Sequence, residues 1–118
     1  MKVERRSDND VVILQVNGEV TYGKGSDVLL RTSVDAVLAE GHRKVILDVT
    51  GVSYVDSAGL GQLAQAHANA MANQAALRLV GVSKRLRDLL AATRLLPLFQ
   101  VFENEQAALA SFDAAPAS

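Results

Sequence analysis

The stretch Tyr54-Val55-Asp56-Ser57-Ala58-Gly59-Leu60-Gly61 decides how the whole chain is arranged. An apolar run ends in it, an Asp and a Ser follow, and an Ala-rich segment with apolar residues at helical spacing begins. This order predicts a strand, a short connection and a helix. Ser57 then stands at the start of the helix, where three roles are open to it: a helix cap, a nucleophile, or a site that another protein phosphorylates.

On both sides of this stretch, strand and helix patterns alternate. Apolar and β-branched runs predict strands, and apolar residues three and four apart predict helices. The strands are expected at residues 3–6, 11–16, 45–49, 77–80 and 98–102, and the helices at 26–40, 58–73, 83–93 and 104–112. Such alternation implies right-handed crossovers and a largely parallel sheet, which the first hairpin makes mixed. The expected fold class is α/β, a single domain with a four- to five-stranded mixed sheet and about four helices.

The size and composition of the chain limit its function. Its 118 residues suit one domain, expected over residues 1–113, followed by a flexible tail of small residues at 114–118. The chain has no Cys, which excludes disulfides, thiolate chemistry and Cys-ligated metals. A formal net charge of −1 gives no electrostatic support for binding nucleic acid. The charged N-terminus and the lack of an apolar run of ~18 residues predict a cytoplasmic protein without membrane insertion.

A Gly-rich segment at residues 18–26 almost matches a phosphate-binding P-loop. That motif has Gly, four further residues, Gly, Lys and then Ser or Thr. Here Gly25 follows Lys24, and Ser26 comes one position late, which on a helix turns its hydroxyl away by ~100°. We therefore favour an ordinary glycine-rich loop, and a small nucleotide-binding enzyme that uses Lys24 remains a competing hypothesis.

No other catalytic or metal site is evident in the sequence. His67 lies almost three helical turns from Ser57, which is too far for a Ser-His-Asp triad with Asp56. His42 follows a Gly that ends a helix, and Asp48 ends a strand, so neither joins a recognisable site. We therefore predict a protein that is not an enzyme and that needs no metal or cofactor.

Two of the three roles fit Ser57 well. As an N-cap, it would accept a hydrogen bond from a backbone N–H one turn into the helix. As a phosphoserine, it would place an anion at the positive end of the helix dipole. Gly59 and Gly61 indicate that another surface comes close, because each Gly costs a helix ~1 kcal/mol relative to Ala. Asp56 either orients the Ser57 hydroxyl or adds negative charge beside it.

Four segments of the chain resemble the STAS domain, and the resemblance covers nearly the full length. They are residues 12–20, which include Gly-Glu-Val; residues 45–49, Val-Ile-Leu-Asp-Val; residues 55–61, Val-Asp-Ser-Ala-Gly-Leu-Gly; and residues 77–81, Leu-Arg-Leu-Val-Gly. The STAS fold is shared by bacterial anti-sigma factor antagonists and by the cytoplasmic ends of sulfate transporters.

The resemblance implies a role for Ser57, since the Ser of this motif is the phosphorylation site of anti-sigma factor antagonists. In that family, the unmodified antagonist binds an anti-sigma factor that is also a Ser/Thr protein kinase, which frees a sigma factor. The kinase then phosphorylates the Ser and the pair separates, and a PP2C-type phosphatase restores the antagonist. Thr21 departs from the pattern, because many antagonists carry an Asp at that position.

A partner-binding surface is expected on the helix that follows Ser57. If Leu60, Leu63, Ala64 and Met71 face the sheet, the opposite side of this helix is small and uncharged. The expected partner-binding residues are Thr21, Asp56, Ala58, Gly59, Gly61, Gln62, Gln65, Ala68 and Asn69. The alternative is a STAS subunit that binds constitutively in a signalling or lipid-transport complex, with Ser57 only a cap. A weak homodimer is also left open.

Overall fold

The computed structural model describes residues 2–21 and 26–113. Its strands are β1 (Lys2–Asp8), β2 (Val11–Val20), β3 (Lys44–Val55), β4 (Ala76–Val80) and β5 (Gln100–Phe102), and its helices are α1 (Ser26–Ala39), α2 (Ser57–Ala72), α3 (Lys84–Ala92) and α4 (Glu105–Asp113). The P-loop-like residues 22–25, with Lys24, and the expected tail at 114–118 lie outside the described residues.

The five strands form one mixed sheet in the order β1-β2-β3-β4-β5. A tight turn joins β1 to β2, which pair antiparallel, and Asn9 in this turn adopts a left-handed conformation with φ 54°. All other neighbours are parallel, so each connection between them carries a helix. The expected fold class is confirmed.

Helices cover both faces of the sheet. One face packs its apolar side chains against α1, α2 and α3, and the other face packs against α4 through residues such as Ile13, Ile46 and Phe112. The run Val11–Val16 in β2 is therefore apolar almost without interruption, as expected for a strand buried on both sides.

β2 and β3 extend beyond the rest of the sheet, and this extension positions the start of α2. The last residue pair between β3 and β4 is Asp48 with Val80, whereas β3 stays paired with β2 as far as Val55 with Val20. Two register shifts interrupt the extension, where Gly18 has a φ of 95°. The sequence prediction ended β3 at residue 49 and was too short, because pairing with β2 holds the less apolar residues 50–55 in a strand.

The start of β5 was also predicted two residues early. Pro97 lies in a short 3-10 turn, Leu96–Leu98, and the strand begins at Gln100. The fixed φ of proline suits the first turn of such a helix and explains the delay.

Candidate functional site

Asp56, and not Ser57, is the N-cap of α2. Its backbone is extended, its Oδ1 accepts a hydrogen bond from the Gly59 N–H at 2.8 Å, and its carbonyl accepts the Leu60 N–H at 2.9 Å. The interpretation of Ser57 as the cap is therefore wrong. Asp and Ser cap helices about equally well, so the sequence could not decide between neighbours. Ser57 is the first residue inside the helix and is exposed.

The chain before Ser57 is tied to the end of the neighbouring strand. The Asp56 N–H donates to the Val20 carbonyl at 3.3 Å. Thr21 follows Val20 directly and is half-buried. The structure thus brings Thr21, Asp56 and Ser57 together at the ends of two adjacent strands.

The two glycines of α2 have different environments. A Cβ on Gly59 would lie 2.0 Å from the Val20 carbonyl oxygen and 2.8 Å from Val55 Cγ1. Gly59 is therefore buried, and the surface that approaches it is β2 of the same chain. A Cβ on Gly61 would meet nothing within 4 Å. Of the two, only Gly61 leaves the helix open to an external partner.

The exposed side of α2 carries no Asp, Glu, Lys or Arg. Gly61, Gln65 and Ala68 are exposed on it, and Ala58 and Gln62 are half-buried. The Gln62 Oε1 atom is buried and meets no hydrogen-bond donor among the residues that the structure describes.

Asn69 links this side of α2 to α1. Its amide donates to Asp35 Oδ1 at 2.9 Å and accepts from Gln65 Nε2 at 3.0 Å. The expectation that Met71 faces the sheet is wrong, because 61% of this residue is exposed. The buried positions are instead Leu60, Leu63, Ala66 and Ala70, so the apolar stripe of the helix is rotated away from Met71.

Ionic interactions lie away from α2. The Arg5 guanidinium hydrogen-bonds Glu40 and holds the pKa of that carboxyl below its usual value, and Lys44 lowers the pKa of Asp10 in the same way. Arg6 pairs with Glu105. None of these pairs includes a residue of α2, and the Asp56 carboxylate at its cap is the acidic group next to Ser57.

The remaining sequence candidates do not assemble into a catalytic site. His67 packs edge-on against Phe99, with 5.3 Å between ring centroids, and His42 lies beside Arg5 and Glu40. Asp48 accepts the Thr50 N–H. The described residues include no group of three His, Cys, Asp or Glu side chains that could hold a metal ion.

Ligand sites of open α/β sheets depend on the order of the strands. Open α/β sheets bind ligands where the strand order reverses, at the carboxyl ends of the strands. The strand order here follows the chain order, so the sheet formed by the described strands has no such reversal.

Sequence reasoning missed Arg85 as a neighbour of the site. Its guanidinium lies over the ring of Tyr54, 5.5 Å from the centroid, and Tyr54 is 41% exposed. Arg85 is 28 residues beyond Ser57 in the chain, and only the packing of α3 against the extended end of β3 brings it close to this strand.

A family model of the STAS domain matches residues 2–108. The chain belongs to the STAS domain family. Its fold is similar to that of TM1081 from Thermotoga maritima, assigned as an anti-sigma factor antagonist, with a TM-score of 0.83 and 21% identity over 92% of each chain.

Two further solved structures share the STAS fold. The Bacillus cell fate determinant SpoIIAA, in its phosphorylated form, has a TM-score of 0.72 and 17% identity over 94% of this chain and 99% of its own. A sulfate transporter family protein from Wolinella succinogenes has a TM-score of 0.77 and 26% identity over 88% of this chain and 85% of its own. Within residues 2–21 and 26–113, no helix has the length and apolar character that crossing a membrane requires.

Proposed function

We propose that this STAS domain is an anti-sigma factor antagonist that switches partners. In its unphosphorylated state it binds an anti-sigma factor that is also a Ser/Thr kinase, and phosphorylation of Ser57 releases it. The observation that carries this proposal is the position of Ser57, exposed at the first residue of α2 while Asp56 provides the cap. Its hydroxyl is not needed to hold the helix and is accessible to a kinase.

The start of α2 suits a phosphoserine. The amides of Ser57 and Ala58 lie ahead of the first helical hydrogen bond, which joins the Leu60 N–H to the Asp56 carbonyl. N–H groups in this position and the positive end of the helix dipole stabilise an anion. Phosphorylation is therefore expected to leave the fold intact.

The same phosphate would disfavour a docked partner. Phosphoserine carries nearly two negative charges, and burying an unpaired charge in an interface is costly. Gly61 and Gln65, which are exposed on α2 in the described part of the chain, carry no charge that could pair with it. Release on phosphorylation then follows from desolvation and repulsion, with no change of fold.

The proposal also implies which enzyme reverses the phosphorylation and where the protein acts. A PP2C-type phosphatase would return the protein to its binding state, and the protein itself would be a non-enzymatic component acting in the cytoplasm. Support comes from the similarity in fold to anti-sigma factor antagonists and to a form of SpoIIAA that is phosphorylated. Thr21 brings a hydroxyl and no charge to the end of β2, so we expect phosphorylation to proceed without a carboxylate at that position.

A binding comparison tests the proposal. The wild type, Ser57→Ala and Ser57→Asp are titrated against each purified anti-sigma factor/Ser-Thr kinase of the source organism. Ser57→Ala should bind as the wild type does, and Ser57→Asp should bind at least about tenfold more weakly, a loss of ~1.4 kcal/mol. Ser7→Asp adds the same charge to the exposed strand β1 and should change nothing. Equal binding by the wild type and Ser57→Asp would overturn the switch.

The second candidate is a STAS subunit that binds constitutively in a signalling or lipid-transport complex. The similarity to a sulfate transporter family protein favours it, at 26% identity. Under this alternative, Ser57→Asp and the wild type would hold the same partner with the same affinity.

A further inference from the structure

Helix α3 and the turn after it carry positive charge that is not neutralised within the described structure. Residues 84–94 contain four of the 12 Lys and Arg side chains of the chain and one of its 13 Asp and Glu side chains. The four cations are exposed, and none forms an ion pair with a carboxylate of the described residues; they are Lys84, Arg85, Arg87 and Arg94. Every Lys and Arg of β1 and β3, by contrast, has such a partner.

A shallow groove with a partly apolar lining lies beside these charges. It has a volume of about 600 Å³ and is lined by Lys84, Arg85, Asp88, Leu89 and Ala92. Asp88 forms no ion pair with either cation of the lining in the described part of the chain. The groove therefore offers an apolar surface together with a net positive charge.

The groove extends towards the proposed phosphorylation site. Arg85 and Leu89 also line a small cleft whose opposite side is formed by residues 52–55 at the end of β3. The Arg85 guanidinium lies over the ring of Tyr54 in this segment, and Ser57 follows the end of the strand by two residues. A protein that covers Ser57 therefore has the groove of α3 within reach.

The uncharged side of α2 is too small to hold a protein partner alone. Stable interfaces use about 20–30 residues on each side, and the exposed and half-buried positions of α2 around Ser57 are far fewer. An interface centred on Ser57 must therefore extend onto neighbouring surface. The groove of α3 is a concave neighbour with an uncompensated charge, so it selects a partner surface of the opposite sign.

We propose that the anti-sigma factor/Ser-Thr kinase also binds this groove, through an acidic segment that carries an apolar side chain. Carboxylates of this segment pair with Lys84 and Arg85, and its apolar side chain packs on Leu89 and Ala92. The inference rests on the proposed function and adds the chemistry of the partner's surface. The positive charge also attracts the acidic partner before contact and thereby speeds association.

An extended anionic surface such as a membrane fits the groove less well. Leu86 and Leu90 of α3 are buried, and the large apolar side chains that are exposed in the described structure lie on other elements. Insertion into a lipid surface needs such side chains on the basic helix. Outside residues 84–94 the chain has more Asp and Glu than Lys and Arg, which also disfavours a polyanion.

Association kinetics with the purified kinase test the acidic contact. At low ionic strength, Arg85→Glu should lower the association rate constant by about tenfold, and added salt should shrink the difference by screening. Arg85→Lys keeps the charge and should associate as the wild type does. The matched control is Arg43→Glu, which makes the same charge change at an exposed position just before β3, at the opposite end of that strand from Ser57, and should leave the rate constant unchanged.

Thermal unfolding and the Ser57→Asp variant complete the test. Arg85→Glu should unfold as the wild type does, because residue 85 is exposed and an acidic residue suits the first turn of a helix. A kinase that binds the wild type, is lost by Ser57→Asp and associates equally fast with Arg85→Glu would refute the acidic contact alone. Failure of the wild type to bind any such kinase would refute the proposed function as well.

Two further outcomes would overturn the inference. Equal slowing by Arg85→Glu and Arg43→Glu would assign the effect to net charge and not to the groove. Vesicles of equal parts phosphatidylcholine and phosphatidylserine provide the other comparison. If they bind the wild type and not Arg85→Glu, while kinase association is the same for both, the groove belongs to a lipid surface.

Discussion

Single residues at the start of α2 have separate tasks. Asp56 caps the helix, Gly59 lets it pack against β2, and Ser57 between them is exposed. Because capping and packing do not involve the Ser57 side chain, its chemistry can change without unfolding the helix. This separation is what a modification site requires.

Substitutions at positions 56 and 57 should show whether Asp56 or Ser57 caps α2. Asp56→Ala leaves the Gly59 N–H without its acceptor and should lower the free energy of unfolding by ~1 kcal/mol, whereas Asp56→Asn keeps an oxygen in place and should cost less. Ser57→Ala should change the free energy of unfolding by less than ~0.5 kcal/mol. Urea denaturation of the three variants measures the difference. A larger loss for Ser57→Ala than for Asp56→Ala would contradict the assignment of the cap.

The two glycines of α2 form a matched pair for stability measurements. Gly59→Ala should destabilise the protein by ~1–3 kcal/mol, because its Cβ would overlap the Val20 carbonyl. Gly61→Ala meets open space and should stabilise the protein by up to ~1 kcal/mol through helix propensity. Chemical denaturation of both variants checks the signs. The environment of Gly59 is wrongly described if the two substitutions shift stability in the same direction.

At the scale of residues, the sequence predicted correctly where α2 starts. It failed where two neighbouring residues could both serve as the cap. Ser57 was placed correctly at the helix start. Its role as cap was wrong because Asp56 is an equally good cap one residue earlier. The sequence did not show that Gly59 meets Val20, since that contact depends on the pairing of β2 with β3. Met71 was misplaced because spacing alone does not fix the rotation of an Ala-rich helix.

Among the secondary structure elements, β1 is attached to its neighbours by ion pairs. Arg5 joins it to Glu40 after α1, and Arg6 joins it to Glu105 at the start of α4. Exposed pairs of this kind contribute little and weaken with salt. Pairing with β2 holds this edge strand, whose other side has no strand neighbour in the described sheet, and the ion pairs add contacts to α1 and α4.

Lowering the pH should remove the contribution of Glu40 to the free energy of unfolding. Its pKa is lowered mainly by the hydrogen bond from Arg5, so the unfolded chain takes up a proton more readily than the folded one. Its stabilising effect is therefore present above the unfolded pKa of about 4.3 and is lost as pH falls through the lower folded pKa. The stability difference between wild type and Glu40→Gln, measured by urea titration from pH 7 to pH 2, should shrink in that range. A difference that grows on acidification would contradict the pairing.

The order of elements was predictable, but several of their boundaries were not. Alternating apolar runs were enough to identify five strands and four helices. The end of β3 was missed because residues 50–55 are not continuously apolar and are held by pairing with β2. That pairing joins segments about 35 residues apart, as with Val55 and Val20, and no local pattern reports it.

At the scale of the whole molecule, a five-stranded mixed sheet carries on one face a helix, α2, that has no Asp, Glu, Lys or Arg. Ser57 lies at the start of α2 and the exposed Met71 lies near its end, about 21 Å away along a helix that rises ~1.5 Å per residue. The proposed phosphorylation site is therefore well separated from the other end of the helix.

The central claim is that phosphorylation of the Ser57 hydroxyl releases the protein from its anti-sigma factor/Ser-Thr kinase. Phosphorylation of the assembled complex tests this claim most directly. The wild type and its anti-sigma factor/Ser-Thr kinase are mixed, ATP and Mg²⁺ are added, and complex and phosphate are followed together by gel filtration and peptide mass spectrometry. The account predicts that phosphate appears on Ser57 alone, that the complex dissolves in step with it, and that Ser57→Ala stays bound and unmodified. A complex that persists with Ser57 fully phosphorylated, or phosphate at a different residue, would contradict it.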